Sequence, residues 1–157
     1  MPTSGITCDK EVTEILLDLR DKRKSRYVFF KIRRSGRGLL SISLNKKSKR
    51  DATFNDFLQE VPKDEPRYIV YDFSYTTNGG EKRDRLLFIF WSPEKARMED
   101  KVSYSSTKSN ILKEIQKLCA IRHVELTDFD ELNENKLIEF GKPLRERANS
   151  LVVMRTL

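Results

Sequence analysis

Ser105-Ser106-Thr107-Lys108 is the stretch of this 157-residue chain whose residue types match a catalytic spacing. A Ser three residues before a Lys puts hydroxyl and amine one helical turn apart, the S-x-x-K arrangement of serine acyl-enzymes. The companion S-D-N and K-T-G elements are absent, so the stretch reads as a helix start capped by Ser105 or Ser106. His123 is the only histidine, and no G-x-S-x-G elbow supplies it with a nucleophile, so it is expected as an ordinary strand residue. Asp128, Asp130, Glu131 and Glu134 are acidic enough to attract a cation. They lack the glycine turn of a calcium loop, and a solvated helix start accounts for them. Neither G-x-x-x-x-G-K-S/T nor G-x-G-x-x-G occurs, which leaves nucleotide chemistry without a foothold. Two cysteines, Cys8 and Cys119, make neither a disulfide framework nor a metal cage. The residues offer surfaces and no reaction centre: no enzyme, cofactor or metal is expected.

What those surfaces attract follows from charge. Residues 20–50 hold thirteen Lys and Arg against one acid, a local +12 that exceeds the chain's net +7, so the remainder is net acidic. A field this lopsided favours a polyanion or an acidic protein. Nucleic acid, an anionic membrane and an acidic protein filament all fit, as does a merely solvated basic hairpin. Aromatics interleave with the charges in Arg26-Tyr27-Val28-Phe29-Phe30-Lys31, a mixture that can bind single strands. Adjacent Phe29 and Phe30 face opposite sides of a strand, however, so at least one belongs to the core. Lys22-Arg23-Lys24 is a weak nuclear-import patch. Charged residues at 35% against 38% apolar describe a soluble globular domain with a heavily charged surface. The longest apolar runs, 86–91 and 151–154, are strand-sized, too short to span a bilayer. Residues 1–10 carry no apolar signal segment, and a reduced cytosolic or nuclear setting follows.

The elements that must position these residues are readable from periodicity. Val12, Ile15, Leu16 and Leu19 form one helical stripe, with Thr7 or Asp9 available as N-cap. Residues 27–32 and 39–44 predict a hairpin through the Ser35–Gly38 turn, followed by a basic polar loop over 45–53. Thr53 can cap a short helix bearing Phe54, Phe57, Leu58 and Val61. Residues 67–75 alternate as a strand, Asn78-Gly79-Gly80 is a turn, and 86–91 is apolar on both faces, as a covered central strand is. A helix with stripe Ile111, Leu112, Ile115 and Leu118 follows, then a strand over 121–126. A last helix capped by Asp128 or Asp130 turns Phe129, Leu132, Leu137 and Phe140 inward and stops at Gly141 and Pro143; residues 151–154 read as a final strand. This order predicts a mixed α/β sheet with helices on both faces.

One ordered pattern is more specific. Leu86-Leu87-Phe88-Ile89-Phe90-Trp91-Ser92-Pro93-Glu94, followed by Lys101-Val102-Ser103-Tyr104-Ser105-Ser106-Thr107-Lys108, resembles the signature of the actin-depolymerising factor/cofilin family. Tyr27–Ile32, Arg67–Phe73 and the start Ser4-Gly5-Ile6 resemble further family elements. The resemblance covers roughly residues 4–140 and implies a single ADF-homology domain over 1–157, with 141–157 as a C-terminal extension. It implies a mixed five- or six-stranded sheet sandwiched by four or more helices. It further implies a monomeric cytoplasmic protein of the actin cytoskeleton, with the nucleus as second compartment, that binds actin monomers and filaments and promotes depolymerisation.

The monomer site implied by the resemblance is Ser4, Gly5, Ile6, Lys101, Ser106 and Lys108, with Arg97 as a compensating charge and Ser4 as the phosphorylation site. Lys82 and Arg83 fit its filament side. Lys46, Lys47, Lys49 and Arg50, together with the 33–37 turn, are the expected phosphoinositide contacts. Departures are Glu99 and Asp100 where the family has a basic residue, Val102 for the usual Met, and Ile138-Glu139-Phe140 where filament-side charges are usual. Severing is therefore expected to be weak. The glia maturation factors, which share the fold and bind the actin-related-protein branching complex, remain a second reading, and a basic nucleic-acid-binding domain a third.

Overall fold

An apolar run buried on both sides needs a neighbour on each edge and a layer on each face, and residues 87–91 acquire all four. In chain order the elements are β1 (Thr7–Cys8), α1 (Lys10–Leu17), a π-turn (Asp18–Lys22), β2 (Tyr27–Arg34), β3 (Leu40–Lys47), α2 (Phe54–Glu60), β4 (Arg67–Thr76), β5 (Lys82–Trp91), α3 (Met98–Leu118), β6 (Arg122–Leu126), a 3₁₀ turn (Phe129–Glu131) and α4 (Glu134–Gly141). The computed structural model describes residues 7–34, 36, 38 and 40–142. The tail beyond 142, including the strand expected over 151–154, lies outside the described residues. The six strands form one sheet in the order β1-β3-β2-β4-β5-β6. Its outer pairs β1/β3 and β5/β6 are parallel and the inner pairs antiparallel.

Strand alternation sorts side chains into two cores. On one face Val28, Phe30, Tyr68, Val70, Phe88 and Phe90 meet Val12, Leu16 and Leu19 and the α3 residues Tyr104, Ile111, Leu112 and Ile115. On the other, Tyr27, Phe29, Ile69, Tyr71, Leu87, Ile89 and Trp91 meet Phe57 and Val61 beside α2 and Leu132 and Leu137 beside α4. Phe29 and Phe30 thus enter opposite cores, and both are buried, which removes them from any nucleic-acid platform. Two phenols pin α3 to the sheet. Tyr68 Oη donates to the Tyr104 carbonyl at 2.6 Å. Tyr104 Oη accepts from Ile32 N at 3.0 Å, beyond the last β2–β4 rung at Phe30–Tyr68.

Several boundaries differ from those expected. Thr7 joins a short strand beside β3; Asp9 is the N-cap of α1 but makes no side-chain cap bond. Its carboxylate pairs with Arg33 at 3.5 Å instead. The basic stretch at 45–47 is strand, not loop, because a bulge absorbs Asn45 and lets Lys46 and Lys47 go on pairing with β2. Asn45 is held there by Arg67 Nε, which donates to its Oδ1 at 3.0 Å. The long helix begins at Met98, with Arg97 in extended backbone as N-cap. Ser105 and Ser106 therefore sit two turns inside it and cap nothing. Glu99 and Asp100 occupy its first turn, where the exposed N–H groups and dipole favour carboxylates.

The last helix is split. Asp128 and Glu131 form a capping box around the 3₁₀ turn, and Asn133 Oδ1 separately caps α4 by accepting from Lys136 N at 3.1 Å. The acids at 128–131 thus have structural work, and among the described residues no group of His, Cys, Asp and Glu converges on a metal site. Thr53 caps α2 as expected, reciprocally with Asp56.

Phe57 is fully buried and packs edge-on against Tyr27, Phe29 and Tyr71 at 5.0–5.7 Å between ring centroids. Phe57→Ala should cost about 3–5 kcal/mol in chemical denaturation. A loss below 1 kcal/mol would mean that α2 does not close this core.

Candidate functional site

A helix packed by one face leaves the other to solvent, and the free face of α3 carries a mixture of charges and apolar groups. Lys101, Ser105 and Lys108 recur at four and three residues, so they share one side. Lys101 Nζ donates to the Glu94 carbonyl at 2.7 Å, which spreads the ammonium over the preceding loop. Lys108 Nζ lies 3.9 Å from Glu125 Oε1 on β6 and 5.9 Å from the Phe90 ring centroid. Between the two lysines runs an open groove of about 470 Å³ lined by Phe90, Ser92, Val102, Ser105, Ser106 and Glu125. Ser106 Oγ donates to the Ser103 carbonyl at 3.1 Å. Lys108 Nζ is thus turned toward Glu125 and the Phe90 ring, and the Ser106 hydroxyl onto its own helix.

Met98 and Val102 are the exposed large hydrophobic side chains among the described residues, at 70% and 59% exposure. One turn apart, they form an apolar strip beside Lys101, the kind of patch that marks a protein contact. Their i,i+4 spacing is present in the sequence, but it places them on one face only because the helix begins at Met98, ahead of the start expected at Ser105 or Ser106. Arg97 does not supply a free compensating charge: its guanidinium pairs with Glu99 at 3.3 Å and Asp100 at 3.6 Å. Ser4, Gly5 and Ile6 lie outside the described residues. Thr7, which follows them, pairs with Ser41 at the end of the sheet nearest the first turns of α3.

Lys82 and Arg83 stand elsewhere, at the start of β5 on the opposite end of the sheet. Lys82 is exposed, and Arg83 pairs with Glu81 at 2.6 Å. They sit on the hairpin whose turn Gly80 closes with φ +86°, a conformation that suits glycine. Ile138 and Phe140 of α4 are half-buried against the second core, so their lack of charge follows from packing.

The expected phosphoinositide contacts fall in the 46–50 segment and the 33–37 turn. Arg33 and Arg34 end β2, whereas Lys46 and Lys47 end β3 with Lys49 and Arg50 just beyond, so turn and loop occupy opposite ends of the hairpin. Within the loop, Arg50 Nη1 is committed to Asp72 Oδ2 at 2.7 Å, and Lys46 pairs with Glu60 at 3.5 Å. Lys47 and Lys49 are exposed there. Arg23, from the import-like triplet, is likewise committed, though half-exposed: it bridges Asp72 at 3.2 Å and Asp84 at 2.6 Å. His123 is an exposed residue of the outer strand β6, opposite Phe88.

A six-stranded mixed sheet between paired helices, with a long helix whose free face carries charged and apolar groups, defines a class of α/β fold. The comparisons say which. The sequence pattern of cofilin/tropomyosin-type actin-binding proteins is matched over residues 5–140, and the chain belongs to that family. Actophorin of Entamoeba histolytica is 34% identical over 135 residues, covering 86% of this chain and 94% of that protein. Cofilin of Cryptococcus neoformans is 30% identical over 138 residues, covering 87% and 96%. The crystal structure of Streptomyces griseoflavus cofilin superposes with a TM-score of 0.73 at 29% identity, over 88% of this chain and all of that one. A glia maturation factor from Caenorhabditis elegans shares the fold at a TM-score of 0.63 with 17% identity.

The Arg23 bridge holds the Asp84 carboxyl below its ordinary value, opposed by partial burial and helped by Ser74. A depressed folded value stabilises above the unfolded value of about 3.9 and is lost as pH falls through the lower, folded one. Asp84→Asn should therefore be less stable than the parent protein at pH 7, with the two denaturation midpoints converging below about pH 4. A gap that stayed constant with pH would remove the carboxylate as its cause.

Proposed function

We propose that this protein binds actin monomers through the exposed face of α3 and filaments through that face together with the β4–β5 hairpin, and so promotes filament disassembly in the cytoplasm. The observation that carries the reading is the Met98–Val102 strip flanked by Lys101, with Ser106 and Lys108 further along the same helix. An apolar centre with a cationic rim suits a partner surface that is acidic and locally apolar. Ser4, Gly5 and Ile6 complete the monomer side by the family resemblance, with Arg97 held in reserve by its own acids. Lys82 and Arg83 form the filament side.

Titration of labelled ADP-actin monomers tests this. Lys101→Ala with Lys108→Ala should weaken binding about ten-fold or more, while stability stays within about 0.5 kcal/mol because both lysines are at the surface. In the same assay Ser4→Glu, standing in for a phosphoserine, should weaken binding through added negative charge. Unchanged affinity in both variants would place the contact elsewhere. A parent protein that ignored actin but bound the actin-related-protein branching complex would make it a functional relative of the glia maturation factors. A salt-steep affinity for RNA or DNA exceeding that for actin would favour the nucleic-acid reading.

Disassembly without frequent severing follows from the filament side. The half-buried Ile138 and Phe140 leave Lys82 and Arg83 with little added charge from the end of α4. Imaging of single filaments should show faster shortening and few internal breaks; frequent breaks at low protein density would refute that division.

A further inference from the structure

Strands β4 and β5 outrun the sheet they belong to. The β2–β4 ladder ends at Tyr27–Tyr71, and the β5–β6 ladder begins only at Leu87–Arg122. β4 and β5 nevertheless pair with each other as far as Thr76–Lys82. Beyond Asp72, whose N–H still reaches the Arg26 carbonyl at 2.8 Å, the two strands project as a ribbon without a strand on either edge. A two-stranded ribbon is marginal in water by itself, so its attitude depends on what grips its faces. On one face Lys142 Nζ stands 4.8 Å from the Tyr75 ring centroid.

The other face is gripped by arginines. Arg23 donates to the root of the ribbon, Asp72 Oδ2, at 3.2 Å, and to its projecting part through Asp84 at 2.6 and 2.7 Å. Ser74 Oγ, across the ladder, donates to the same Asp84 carboxylate at 2.6 Å. Arg26 Nη1 adds bonds to the Asp72 carbonyl at 2.9 Å and to Ser74 Oγ at 3.2 Å. Arg23 is itself rigidly placed. Its backbone is left-handed (φ +51°, ψ +41°) where the π-turn ends, and its N–H donates to the Asp18 carbonyl at 2.7 Å. The Asp72 carboxylate is 3% exposed and has a second partner in Arg50, so the ribbon's root is doubly held. Asp84 depends on Arg23 for its cation.

We propose that Arg23 is a positioning residue: its bridge from Asp72 to Asp84 sets the attitude of the projecting β4–β5 ribbon and thereby presents Lys82 and Arg83 to the filament. This rests on the actin-binding reading above. It predicts a split that loss of general stability would not produce, because the groove on the N-terminal half of α3 lies at the other end of the sheet and no bond of Arg23 reaches it.

The test uses Arg23→Gly, which removes the guanidinium and suits the left-handed backbone, alongside Arg23→Lys, which can keep one ion pair but not the fork. In the glycine variant, amide hydrogen exchange over 74–84 should accelerate while that of the N-terminal half of α3, residues 98–108, stays unchanged. Filament affinity in co-pelleting should fall about ten-fold, with the lysine variant between it and the parent. Affinity for ADP-actin monomers should stay within about two-fold. In a Lys82→Ala/Arg83→Ala background, Arg23→Gly should cost nothing further, since the residues it positions are gone. Unchanged ribbon exchange overturns the proposal. So does an additive loss in that background, which would make Arg23 a filament contact itself, and so does an equal loss for monomer and filament. If the parent protein fails to bind actin at all, the functional reading falls, and the exchange comparison alone decides whether Arg23 holds the ribbon.

Discussion

The rotation of α3 on the sheet is fixed by two buried phenols. The helix must lie on a twisted sheet at one rotation, and apolar contact alone is non-directional. Tyr68 supplies direction by donating to a helix carbonyl, and Tyr104 returns the bond by accepting from a strand N–H that β4 no longer reaches. Burial raises the pKa of both phenols, so each keeps its proton and Tyr68 remains a donor across physiological pH. In a low-dielectric interior such a paired network is specific because leaving any member unpaired is costly. With the rotation set, Met98, Lys101, Val102 and Lys108 are turned outward as a group.

The basic excess of residues 20–50 separates into charges that build and charges that remain at the surface. Arg23 and Arg50 surround the carboxylate of Asp72, and Arg26 holds the backbone of β4. An acid in the middle of an apolar strand requires such partners, since an unpaired buried charge would be prohibitive. Lys24, Lys47 and Lys49 remain exposed. A count of lysines and arginines therefore overstates the number of cations left free at the surface.

The acids at the start of α3 carry the converse lesson. Read as departures from a basic motif, Glu99 and Asp100 argue for weakened binding. In the fold they are the first-turn charges of the helix and the ion-pair partners of Arg97. The apolar pair Met98 and Val102 brackets them on the same stretch of helix.

The sequence by itself determined whatever depends on neighbours within a few residues. The alternation of β4, the two-sided burial of β5, the Thr53 cap, the stripe of α1 and the two cores flanking a mixed sheet were all legible from period and residue type. So was the family, because the order from Trp91 through Lys108 is long and local. Hidden were the β1 pairing, the bulge at Asn45, the true start of α3 and the break before α4. Each turns on a bond whose partner is set by packing, as when Arg67 claims Asn45 from 22 residues away. The Arg23 bridge spans 49 and 61 residues, and no periodicity records such a distance. Only the tertiary structure could decide which arginines were spent inside and which face of α3 was left outside, because burial and pairing are properties of places that the chain reaches only once it is folded.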